Sequence, residues 1–210
     1  MKKLLAVQIT LIIVFSSSFG YLLSATDTYE HVQLTIVSVL CLSCIKLEPK
    51  TALEFSFETA NGEQHPSFVL ENLSEGPVLL HYRTDACQAC DRMDPMVASL
   101  FNLTSLDEDY LLTKSKFNGV NVTLIHINLD HVEKKLRDSF DVYNILGENG
   151  GVPMFSLITL GYDRGTVQPA YATGYSFLGK STPEQGKIVL KQLIDESVNM
   201  YIQNHQGYNP

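Results

Sequence analysis

The sequence predicts a layered α/β domain placed behind an N-terminal hydrophobic anchor, and three observations predict it. From Leu53 onward, apolar strand-like runs alternate with amphipathic helix-like ones, the pattern of strands and helices packed in layers. The chain closes on a helix with a complete start signal at Thr182. Ahead of the domain, Lys2 and Lys3 precede an uncharged run of 22 residues, Leu4 to Ala25. The 210 residues, 45% of them apolar, supply one domain with a sizeable core plus such a leading segment.

The leading run has the length of a bilayer span or of a long signal peptide, so residues 1–25 read as a signal anchor or signal peptide. A cut after Ala25 would put Leu23 where a small residue is preferred, which favours an uncleaved anchor. The lysines then stay in the cytoplasm and the domain lies outside it, membrane-anchored, or secreted or periplasmic if the cut is made. Val32 to Ile45 is apolar but 14 residues long, about 21 Å as a helix against a hydrocarbon core of about 30 Å. It is expected as an interfacial or docked segment, or a strand, within a membrane-proximal stretch, 26–52, that carries Cys41 and Cys44. As a return span it would put the domain in the cytoplasm. Sequons at Asn72, Asn102 and Asn121 are compatible with an exterior location.

The domain is expected over 53–204, with a tail at 205–210. "LEFSFE" alternates Leu53, Phe55 and Phe57 against polar partners, as a half-buried strand does, and "NGE" at 61–63 supplies a turn. A short helix from Pro66 to Leu73 follows, then the apolar strand "GPVLLHYRT", which ends where "CQACDRM" begins. Val122 to Asp130 is a second buried strand, "HVEKKLRDSFDVYNIL" a helix at its start, and "VPMFSLITL" a third strand. "GYDRG" turns it into "VQPAYATGY". In the last helix Thr182 and Gln185 form a capping box, Pro183 takes the first helical position, and Ile188, Leu190, Leu193, Ile194, Val198 and Tyr201 line one face. Between Cys90 and the Val122 strand, "LTSLDEDYLLTKSKFNG" reads as an enlarged loop.

A formal net charge of -8 and the lack of a basic stripe argue against nucleic acid as a partner. The chemistry concentrates in "RTDACQACDRMDP". If "CQACDRM" opens a helix, Cys87 sits at its N-terminus, where unpaired N–H groups and the positive end of the helix dipole stabilise a thiolate. Cys87 becomes the attacking nucleophile, and Cys90, one turn later, the resolving thiol that clears the mixed disulfide.

The strand "VLLHYRTDA", the Cys87/Cys90 pair, Pro95 five residues after it, the strand "LIHINLD", "GGVPMF", and Gly174 with the closing helix resemble the thioredoxin family. Residues from "FSFETANGEQ" to "CDRMDP" look more specifically like its membrane-tethered, exported members related to the cytochrome-maturation reductases. The resemblance covers roughly 53–202. It implies a thioredoxin fold, a central mixed β-sheet flanked by helices, and a redox-active disulfide at Cys87 and Cys90. It also implies a cis-proline at Pro153 whose loop, with Val152, pairs with substrate, and protein thiols or disulfides as partners. A membrane or soluble protein is implied as electron donor, and no metal or organic cofactor.

The departures bear on mechanism. Ala86 stands where the family has tryptophan, of which the chain has none. His81 stands where many members keep a buried acid, and His126 where a partner lysine often lies. A neutral imidazole near pH 7 can accept a proton, so both are candidate proton acceptors for Cys90. Asp85 and Asp91 oppose thiolate formation while Arg83 and Arg92 favour it. Gln88 and Ala89 match neither typical reductants nor strong oxidants, and the absence of a histidine between the cysteines favours reduction or general exchange.

Three rival readings stand beside exchange. Cys41 and Cys44 form a second Cys-x-x-Cys and could complete a four-thiolate zinc set, but 42 residues and an apolar setting separate them from Cys87. A plain disulfide staple at 87 and 90 would add little stability for so short a loop. A redox-inactive binding module that keeps the fold is the third. Cys41 and Cys44 themselves read as small apolar residues, a relay dithiol, or a structural disulfide.

Overall fold

The computed structural model describes residues 54–208. The N-terminal run and Cys41 and Cys44 lie outside the described residues. The elements are α1 (Ser67–Leu73), β1 (Val78–Arg83), α2 (Gln88–Leu100), β2 (Tyr110–Phe117), β3 (Val120–Asn128), α3 (Lys134–Tyr143), β4 (Met154–Asp163), β5 (Thr166–Tyr175) and α4 (Pro183–Asn204). They form an α/β domain on one five-stranded mixed sheet of order β2-β3-β1-β4-β5. β1 runs parallel to β3, and the other pairs are antiparallel.

The central strands carry apolar residues on both faces because helices cover both. On one face Val78, Leu80, Tyr82, Ile125 and Ile127 pack with Val69 and Leu73 of α1 and Val142 and Tyr143 of α3. On the other, Leu79, Val122, Leu124, Phe155 and Leu157 pack with Met93 and Val97 of α2 and Leu190, Ile194 and Val198 of α4. The buried Tyr82 hydroxyl is satisfied by Ser139 Oγ at 2.9 Å, which in turn donates to the Leu136 carbonyl. Thr182 Oγ1 accepts from the Gln185 N–H and starts α4, whose Tyr201 hydroxyl reaches back to the Ser74 carbonyl after α1. Among the described residues no helix is long and apolar enough to cross a membrane.

Two elements differ from the sequence reading. Among the described residues of "LEFSFE", 54–58, there is no strand: Ser56 alone bridges to Tyr171, with bonds of 2.7 and 2.8 Å. Its aromatic residues pack individually; Phe57 lies against Gly161, where a Cβ would stand 2.7 Å from its ring. Of the stretch read as an enlarged loop, 103–109 is irregular, but Tyr110–Phe117 is the edge strand β2, joined to β3 by Asn118 and Gly119, both at positive φ. Asn-Gly is the signature of a two-residue hairpin turn. The signal was masked because β2 buries neither face fully and the adjacent Leu111 and Leu112 break the alternation. α3 also begins later than the sequence suggests, at Lys134, after a turn at 129–131 and the extended N-cap Glu133.

Candidate functional site

β1 ends at Arg83, and α2 begins five residues later with Cys87 as its N-cap. The short crossing is enough because β1 delivers the chain to the edge of its own layer and α2 folds back over the face that Leu79 and His81 share. Cys87 and Cys90 are joined by a disulfide. Cys87 Sγ also accepts the Cys90 N–H at 3.1 Å, so the sulfur sits where the helix end presents unpaired donors. The two sulfurs are not equivalent: Cys87 is 7% exposed and Cys90 fully buried. Only Cys87 can be approached from outside.

Val152 and Pro153 directly precede β4, and the bond between them is cis. Since Tyr82 pairs with Met154, both lie at the sheet end from which the cysteine segment leaves. The Pro153 carbonyl accepts from Ser176 N–H just after β5, bringing the 176–179 turn to the same end. Arg92 spans to that turn, its guanidinium 4.8 Å from the Phe177 ring centre. A depression lined by Phe55, Phe57, Asp163 and Arg164 lies at the opposite end, beside the β4–β5 hairpin.

His81 and His126 are register partners on adjacent parallel strands, both fully buried on the face that α2 covers. Their Nδ1 atoms are 2.9 Å apart, so one donates and the other accepts. Burial holds His81 well below the usual imidazole range, and the neighbouring His126 and Arg83 act the same way. Burial brings His126 down to about 4, helped by Arg83 and resisted by Asp109 and the Glu108 backbone. His81 stacks flat on Phe155 at 4.8 Å. Both imidazoles are neutral at pH 7.

The sequence reading missed Asp94. It is 7% exposed, on the buried stripe of α2 with Cys90, Met93 and Val97. Its Oδ2 accepts from Arg83 Nη1 at 2.6 Å, and its Oδ1 lies 3.5 Å from His81 Nε2. Burial pushes its carboxyl up to about 6; Arg83 opposes this, and Asp91 and Asp107 reinforce it. The available signal was an acid four residues after Cys90, in phase with the apolar stripe.

The charges flanking the cysteines are engaged elsewhere. Arg83 bridges Asp94 and, at 3.3 Å, the exposed Asp91. Asp85 accepts from Asn128 Nδ2 at 2.8 Å and pairs with His131 Nε2 at 2.7 Å, and its own N–H donates to Asp130. The Asn128 bond, then the His131 bond, hold its carboxyl below the usual range, and the Asp85 bond raises the His131 imidazole. Among the described residues no group of His, Cys, Asp and Glu is arranged to hold a metal ion. In comparisons with known proteins, no family model, no curated protein and no solved structure matches the chain.

Proposed function

We propose that the chain is a thiol–disulfide oxidoreductase on a thioredoxin-like fold, exchanging disulfides with protein substrates in the reducing direction. The observation that carries this reading is the Cys87–Cys90 disulfide capping α2, with the outer sulfur alone reachable and hydrogen-bonded to the helix end. The reduced Cys87 thiolate attacks one sulfur of a substrate disulfide. The substrate S–S bond breaks, one substrate thiolate leaves, and a mixed disulfide forms at Cys87. Cys90 loses its proton and attacks Cys87 Sγ; the Cys87–substrate S–S bond breaks, and the second substrate thiolate leaves with its bonding electron pair. The enzyme ends in the disulfide form, and a protein dithiol donor returns it to the dithiol. Val152 and Pro153 are the backbone we assign to substrate pairing, and His81 and His126 lie within the face that receives the Cys90 proton. The uncharged N-terminal run is the basis for placing this activity outside the cytoplasm, on a membrane anchor.

The test is reduction of insulin by the full chain with dithiothreitol as donor. Turnover that disappears in Cys87→Ser, together with a trapped mixed disulfide in Cys90→Ser, supports the reading. A second reading has one observation in its favour: so deeply buried a disulfide also suits a redox-inactive binding module. Absence of insulin turnover in the wild type would favour that module.

A further inference from the structure

Resting on the exchange reading, we infer that Asp94, and neither histidine, holds the proton that Cys90 gives up when the mixed disulfide is resolved. Cys90 and Asp94 are four residues apart on one buried helical stripe, a spacing that places side chains one above the other. Asp94 Oδ1 and His81 Nε2 face each other at 3.5 Å, and neither has a hydrogen-bond partner among the described residues. A buried carboxyl oxygen in this state is costly unless it gains a proton or a donor during the cycle. The histidines are the poorer acceptors, because burial and Arg83 disfavour charge on both rings. The same burial favours the protonated form of Asp94.

The groups facing Asp94 are Arg83 and His81 from β1, with His126 of β3 behind His81. Asp91 on its own helix and Asp107 in the loop before β2 add negative field. In the resolving step the Cys90 S–H bond breaks and its proton passes to Asp94 Oδ1. The Cys90 sulfur forms its bond to Cys87 Sγ, and the Cys87–substrate S–S bond breaks with its electron pair on the departing thiolate. When the donor reduces the pair, Asp94 returns the proton to Cys90. Arg83, with its side chain 17% exposed and bonded to surface Asp91, links the carboxyl to solvent.

The experiment measures the single-turnover resolution rate of a preformed mixed disulfide in the full chain from pH 5 to 8. Wild type is expected to rise through an inflection near pH 6. Asp94→Asn is expected to lose that inflection and slow resolution about 100-fold, while Cys87 alkylation stays within about twofold of wild type. His81→Asn/His126→Asn is expected to keep the inflection. An inflection retained in Asp94→Asn, or lost in the histidine variant, would overturn the assignment. Should Asp94→Asn fail to fold, carbon NMR of the wild-type Asp94 carboxyl decides. Titration well above the ordinary aspartate range that moves on reducing the cysteines supports the proposal; titration below pH 4 in both states overturns it. Failure of Cys90→Ser to form any mixed disulfide refutes the exchange reading itself, and the inference with it.

Discussion

Lowering the pH from 7 to 5 should destabilise the domain, and the buried imidazoles set the size of the loss. His126 ionises near 4 in the folded chain against an ordinary 6.5, a gap of roughly 2.5 pH units. A histidine whose folded value is depressed contributes stability that is fully present above the unfolded value and is lost as pH falls. At about 1.4 kcal/mol per unit, His126 accounts for about 3 kcal/mol in all, of which about 2 falls between pH 7 and 5. His81 has the same sign and is fully buried. His65, held near 4 by burial beside Tyr143, adds a smaller share because solvent reaches it. Asp94 works in the opposite sense. Its folded value lies above the unfolded one, so the native state takes up the proton first and returns about 1 kcal/mol over the same interval. Setting Asp94 against His126 leaves a net loss on the order of 1 kcal/mol, and His81 and His65 deepen it in the same direction. In urea melts of the oxidised protein the midpoint should fall by about 0.5 M or more, and His126→Asn should flatten the pH dependence. A midpoint that stays level or rises between pH 7 and 5 would refute the reasoning, because it would mean the imidazoles are already charged in the fold.

Other outcomes follow from single contacts. Gly76→Ala would bring a Cβ to 1.9 Å from the Asn121 backbone oxygen, where β1 starts beside β3. It should lower stability by about 3 kcal/mol in denaturant melts, since backbone must move. Tyr82→Phe removes a buried hydroxyl from Ser139 Oγ, which keeps its bond to the Leu136 carbonyl, so the loss should stay near 1 kcal/mol. Gly119→Ala meets open space but sits at φ 84°, so it should cost about 1 kcal/mol, read as a small drop in melting temperature.

How much of this was legible in the sequence follows from how far each segment is buried. β1, β3 and β4 read as strands because long apolar runs can satisfy only a layer covered on both faces. α4 announced itself through Thr182, Pro183 and a complete apolar face. β2 did not, since an edge strand with Lys114 and Lys116 on its outer side has a weak hydrophobic pattern and only the Asn118-Gly119 turn to mark it. The paired cysteines were visible from their spacing. Asp94 was not, because its role depends on Arg83 and His81, eleven and thirteen residues away in the chain and joined to it only when β1 lies under α2. The two histidines were visible as residues, but their pairing exists only through the β1–β3 register.

The central claim is that the Cys87–Cys90 bond opens and closes in exchange. Equilibrating the full chain in glutathione buffers of graded potential, then trapping free thiols, tests it most directly. The account predicts a reversible two-electron transition between about -300 and -180 mV, the range of protein dithiols that exchange with substrates. A pair that remains oxidised in every buffer, with a potential well below about -300 mV as structural disulfides have, would contradict it.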